Sequence, residues 1–283
     1  MSGPLTFLFG PFASFGFMRM ALVACLALAL ASGPIGILLL LRRMSLDGDV
    51  LSHAVMPGAA LGFLYAGYSL AALTAGGLLT GLMVAFLAGA VVRLLPRQRD
   101  GSLAAFYLYA LALGVTIIAA RGSNLDVMHV LFGTVLAIDA ASLILICVIC
   151  SATILIVAAI YRPLSVEIID PAFLRTVGGG VIFSAIFLVL VVLTLVASFQ
   201  AFGTLLAIGP LLLPATAARC WTQRAGSGIA LAVIFGVMAD FAGLLMSYYG
   251  NLPSGPAIII AGGTIYGLSL VGSGLSSSAE APA

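Results

Sequence analysis

Residues 181–219 read VIFSAIFLVLVVLTLVASFQAFGTLLAIGPLLLPATAAR, and no charged side chain appears before Arg219. One bilayer crossing takes about 20 apolar residues, so the run is long enough for more than one. It is interrupted at Ser198–Gly203 and again at Pro210 and Pro214. Breaks at membrane depth are tolerated only where the backbone is buried in protein or lines a cavity. The stretch therefore predicts two membrane segments, 180–199 and 201–218, with a broken helix between them.

The rest of the chain follows the same pattern. Of its 283 residues 63% are hydrophobic and only 7% charged, with a mean hydropathy of +1.28. A water-soluble domain carries roughly a quarter charged residues, so lipid must be the solvent here. The long apolar runs exclude a transmembrane β-barrel, whose strands alternate apolar and polar positions. Further spans are expected near 20–41, 50–67, 70–92, 102–120, 130–160, 228–248 and 256–271. The expected fold is all-α: a polytopic transmembrane helical bundle of eight or nine spans with broken helices. The whole chain, 1–283, reads as one transmembrane domain. Residues 1–18, rich in Phe, Gly and Pro, suit an interfacial segment, and 274–283 a disordered tail. Arg19 and the Ala21–Ala31 run also admit a signal-peptide reading, but the apolar run continues to Leu41 and favours a span. The 130–160 run is too long for one straight crossing, so part of it is expected to be re-entrant.

All eleven basic residues are arginine. Without lysine there is no P-loop lysine for nucleotide phosphates and no Schiff-base chemistry. If ATP drives this protein, another subunit hydrolyses it. Arg42 and Arg43, then Arg93, Arg97 and Arg99, then Arg162 and Arg175, then Arg219 and Arg224 fall in alternate connections. The positive-inside rule places these in the cytoplasm. Cys147 and Cys150 share a helix face in an apolar run and read as small buried residues rather than a redox or metal pair.

Residues 42–58 read RRMSLDGDVLSHAVMPG. Asp49 and His53 are four apart and project from one helical face. A carboxylate with an imidazole suits a divalent transition metal, though the same two residues also suit a membrane–water boundary. Asp47 points elsewhere, and Gly48 offers a bend before a helix starting near Asp49. Asp126 and His129 form a second i, i+3 pair, more in keeping with an interfacial role. Asp139 and Asp240 stand in or near apolar runs, where acids are costly and suggest function; Asp139 also suits the interface, and either could instead cap a helix end or bond a neighbouring hydroxyl. In the cytoplasmic connection 161–180, Asp170 can cap a short helix opening at Pro171 and running through Phe173 and Arg175. Such an amphipathic piece suits docking to a soluble partner, as it suits an ordinary ordered loop.

At these residues the chain resembles the metal-ion permease subunits of bacterial ATP-binding-cassette importers, the zinc/manganese/iron class. The resemblance rests on RRMSLDGDVLSHAVMPG, DVMHVLFGTVLAI (126–138), IIDPAFLRTVG (168–178), GTLLAIGPLLLPATAAR (203–219) and LPSGPAIII (252–260), and so covers nearly the whole chain. It implies a multi-pass protein of the bacterial inner membrane that moves Zn2+ or Mn2+ and holds no permanent cofactor. It implies that Asp49 and His53 contact the metal. The partners it implies are a cytoplasmic ATPase docked on a coupling helix at Asp170–Thr176, an extracytoplasmic metal-binding protein and a second permease copy; nucleic acid has no place. A proton-coupled secondary transporter relaying through Asp49, His53, Asp139 and Asp240 is the alternative. An intramembrane metalloprotease would want an H-E-x-x-H helix, and neither histidine has such a partner.

Overall fold

A computed structural model of the protein describes residues 4–67, 69–94, 99–120, 135–169, 180–203 and 206–279. Among the described residues the architecture is helical throughout. The order is α1 (Pro4–Ser14), α2 (Gly16–Leu41), α3 (Ser45–Ala66), α4 (Leu70–Leu94) and α5 (Arg99–Ala120). A short 3-10 turn (Val135–Ala137) precedes α6 (Ala140–Ile169), α7 (Gly180–Phe202), α8 (Gly209–Trp221), α9 (Ala225–Gly250) and α10 (Ser254–Ala279). Lipid offers no hydrogen-bond partners, so each segment satisfies its backbone internally as helix.

Each expected span maps onto one of α2 to α10, but the count of eight or nine needs correction. Six of the described helices are long and apolar enough to cross a bilayer: α2, α4, α6, α7, α9 and α10. Two of the other three depart for separate reasons. In α8 there are only 13 residues, about 20 Å of helix against a core of about 30 Å. The polar side chains of Ser45, Asp47, Asp49, Ser52 and His53 lower the hydropathy of α3. The third, α5, is 22 residues long and includes the apolar stretch Gly101–Ile117.

The ends of three elements refine the expectations. Within 130–160, α6 is one 30-residue helix from Ala140 that continues to Ile169 despite Pro163, while 130–134, where the run begins, lie outside the described residues. The connection expected to open at Tyr161 is thus helical over its first residues. At the other end α10 runs to Ala279, into the stretch expected as a disordered tail. Finally, α3 begins at Ser45, so Gly48 lies inside the helix. The bend falls instead at Arg42–Met44, where Arg43 takes a left-handed conformation (φ 56°).

The centre of the bundle is α2. Its 18-residue apolar window is 67% buried, against 17% for α4, so α4 is peripheral. One core cluster gathers Met18, Leu28, Ile146, Phe202 and Leu244, and a second gathers Ile35, Leu38, Val55, Phe187 and Val191. Glycines set the tightest approaches, as expected where packing replaces the hydrophobic effect. A Cβ on Gly58 would run into the Gly76 carbonyl, and one on Gly62 into that of Ala72. Gly77 and Gly81 face Val55 and Val192, whereas Gly263 and Gly267 look onto open space. The small-residue spacing is thus a packing device in α3 and α4 and idle in α10.

Contacts bring the arginine-bearing ends together. Arg42 reaches Glu167 at the end of α6, and Gly228, after Arg224, abuts Ile37. At the opposite end Phe12 of α1 stacks on Phe241 at 5.2 Å, and Val135 donates its N–H to Ser254 Oγ at 3.1 Å.

Candidate functional site

One helical turn of α3 presents Asp49 and His53 together. Their nearest atoms, Asp49 Oδ1 and His53 Nε2, are 3.8 Å apart. That is beyond a hydrogen bond, so neither group consumes the other. Two donor atoms bound to one ion at about 2.1 Å each can lie up to roughly 4 Å apart, and the pair falls within this reach. The His53 side chain is 6% exposed and that of Asp49 48%. The imidazole is therefore held inside the bundle while the carboxylate faces out of it.

Several contacts fix the pair. Tyr107 of α5 meets the His53 ring edge-on, with centroids 4.7 Å apart and planes at 89°. Ser52 Oγ donates to the Asp49 carbonyl at 2.7 Å, a helical back-bond that leaves the carboxylate free of it. His53 Nδ1 is buried without a hydrogen-bond partner among the described residues. Asp47, two residues earlier, is buried and so occupies a different face from Asp49. No group of three or more His, Cys, Asp or Glu side chains gathers around a common point among the described residues.

The other acids separate by place. Asp139 caps α6: its Oδ1 accepts the Ser142 N–H at 2.9 Å. Hydrogen bonds from the Ser142 hydroxyl and then its amide hold this exposed carboxyl below the usual range. Asp240 is 3% exposed within α9. It borders a cavity of about 10 Å3 lined also by Ala29, Pro210, Pro214, Gly236 and Gly262. Pro214 has no N–H to offer the Pro210 carbonyl, so this small space also faces a broken ladder. None of its lining belongs to α3. The structure therefore groups Asp49 with His53 and leaves Asp139 and Asp240 apart. Asp126, His129, Asp170, Pro171, Phe173 and Arg175 lie outside the described residues.

Two features escape sequence reasoning. Tyr107 has no local signal linking it to His53. Glu167 pairs with Arg42, Nη2 to Oε2 at 2.6 Å, and accepts a short hydrogen bond from the Ser184 hydroxyl. An acid at the end of an apolar run was the available hint.

A model of the ABC 3 transport family matches residues 14–273. The chain belongs to that family. Among its relatives is the manganese transport system membrane protein MntC of Halalkalibacterium halodurans, 31% identical over 266 residues, which cover 93% of this chain and 90% of that one. The manganese import system permease protein ScaB of Streptococcus parasanguinis is 28% identical over 254 residues, 89% of each. Among solved structures, PsaBC from Streptococcus pneumoniae in complex with Fab matches with a TM-score of 0.83 and 27% identity, covering 94% of this chain and 95% of that one. This ABC 3 family member is a multi-pass protein of the bacterial inner membrane and a transport subunit, not an enzyme.

Proposed function

We propose that this permease carries Mn2+ inward, powered by ATP hydrolysed on a separate subunit, and that Asp49 and His53 contact the ion on its way. The observation that carries this reading is the Asp49–His53 pair: a carboxylate and an imidazole 3.8 Å apart, not hydrogen-bonded to each other, on a helix packed into a membrane bundle. Oxygen with imidazole nitrogen suits manganese and also accepts zinc; the names of the relatives favour manganese.

Two protein ligands hold an ion loosely enough to release it, with water completing the shell. A half-exposed carboxylate on a helix of a membrane bundle is costly where it faces lipid. A second permease copy facing Asp49 would turn that surface into a shared polar pathway. The stretch around Asp170–Thr176 serves as the docking point for a cytoplasmic ATPase, and an extracytoplasmic binding protein delivers the ion from the other side. ATP-driven closure of the ATPase pair then alternates access to the pathway. Asp49 lies four residues past Ser45, about 6 Å along α3, so the contact sits towards the arginine-bearing end.

The test is manganese and zinc accumulation in cells lacking their native importer. They would express the chain with its ATPase and binding protein, or the Asp49→Ala and His53→Ala variants. Loss of manganese uptake in both variants at normal membrane abundance supports the reading. Full uptake in both removes the pair from the pathway, and uptake without any ATPase would point to a secondary transporter.

A further inference from the structure

Asp240 stands within α9, 3% exposed, on the wall of a cavity of about 10 Å3. Among the described residues nothing donates a hydrogen bond to its carboxyl, and no ion pair includes it. The helices packed against α9 are chiefly α2, α8 and α10. From α2 the Cys25 thiol lies within electrostatic reach of Asp240. On α8, Arg219 stands nine residues past Pro210, roughly 14 Å along the helix, and α10 carries no charged residue. A buried carboxyl group without a donor is costly in any apolar enclosure, so its surroundings must supply one.

A second acceptor borders the same space. Pro210 and Pro214 of α8 both line the cavity. Pro214 has no N–H, so the Pro210 carbonyl loses the helical partner that any other residue at 214 would give it. Two acceptors from two helices therefore share one enclosure. The rest of the wall includes Ala29 of α2, Leu213 of α8, Gly236 of α9, and Ile258 and Gly262 of α10, whose side chains have nothing to donate.

Size and chemistry together select the occupant. A space of about this volume is what one water molecule needs, and polar partners are what make such a space hold water rather than stay dry. Water brings two O–H donors, one for each acceptor. A bare cation asks for about six oxygen ligands, and this wall offers one carboxyl group and one freed carbonyl.

We propose that the cavity is a site for a single water molecule, which donates to the Asp240 carboxyl and to the Pro210 carbonyl and so ties the broken segment α8 to α9. The water stands in for the N–H that Pro214 lacks. Asp240 is thereby a tether of the bundle, apart from the Asp49–His53 pair and independent of the function proposed above.

The test is a double-mutant cycle on the full-length permease in detergent, read as melting temperature. Asp240→Leu removes one acceptor and leaves the Pro210 carbonyl without its water, so it is expected to lower the melting temperature by at least about 3 °C. In a Pro214→Ala background, where a backbone N–H serves that carbonyl, the same substitution should cost far less. Equal losses in the two backgrounds overturn the shared tether. Asp240→Asn keeps an acceptor of the same shape and should melt close to wild type. A loss as large as that of leucine would mean that a charge is required, and with it a cation instead of water. Crystals of the wild-type permease soaked in rubidium salt, at a resolution that shows ordered waters, give the direct readout. The expected result is a water within hydrogen-bond distance of both the Asp240 carboxyl and the Pro210 carbonyl, missing from Asp240→Leu. An anomalous rubidium peak at that point, or no density there, overturns the proposal.

Discussion

Ile208, just ahead of α8, leans on Gly48 of α3: a Cβ at position 48 would meet Ile208 Cδ1 at 3.1 Å. Gly48 immediately precedes Asp49, so the broken segment and the proposed ion contact share a wall. Alanine at 48 asks only a few tenths of an ångström of a flexible methyl. A β-branched residue asks far more. Gly48→Val is expected to lower manganese uptake severalfold at normal membrane abundance, with Gly48→Ala near wild type. Shortening the neighbour in a Gly48→Val, Ile208→Ala double variant should restore part of the uptake, and no restoration would separate the two residues.

The α3–α4 contact makes a sharper demand, because there the obstacle is backbone. Gly58→Val would drive a side chain into the Gly76 carbonyl. Overpacking of this kind costs about 1–3 kcal/mol or more, and the detergent-solubilised permease should melt several degrees lower. Gly263→Ala, into open space, should leave the melting temperature unchanged. Equal effects at the two positions would count against this packing.

Tyr107 is expected to act on affinity rather than on folding. Its ring edge holds the His53 imidazole from α5, a contact worth about 1 kcal/mol. Tyr107→Ala should therefore raise the manganese concentration for half-maximal uptake roughly fivefold, while Tyr107→Phe, which keeps the ring, should not. Uptake titrations of the two variants decide this, and equal shifts in both would implicate the hydroxyl instead.

Asp139 provides a pH signature. Its carboxyl is held below the usual range by the Ser142 hydrogen bonds, so the folded state favours the ionised form. The resulting stability is present above the unfolded pKa, near 4, and is lost as pH falls through the lower folded value. Thermal melting across about pH 3 to 6 should show a small acid-side decline. Asp139→Asn, an equally good cap that cannot titrate, should remove that decline.

Much of this was legible along the chain. The apolar runs located all nine helices from α2 to α10, because hydropathy alone dictates where a chain in lipid must be helical. The 3.6-residue period put Asp49 and His53 on one face, and proximity in space followed from proximity in sequence. The alternate arginines marked the end at which Arg42, Arg43, Arg219 and Arg224 gather. The crossings themselves were less legible. Hydropathy does not register that α8 stops after 13 residues, nor that Ser45 to Gly48 continue a helix where a bend was expected.

By itself the sequence determined a lysine-free helical membrane protein, its helix order and one carboxylate–imidazole pair, since all of these depend on composition or on neighbours within a turn. The tertiary structure alone decided which acids keep company. Glu167 meets Arg42 across 125 positions of chain, Tyr107 comes from another helix to hold His53, and Asp240 faces the α8 break instead of α3. Such pairings depend on how glycine-lined helices cross and rotate, and that is settled by close packing of many residues at once rather than by any local pattern.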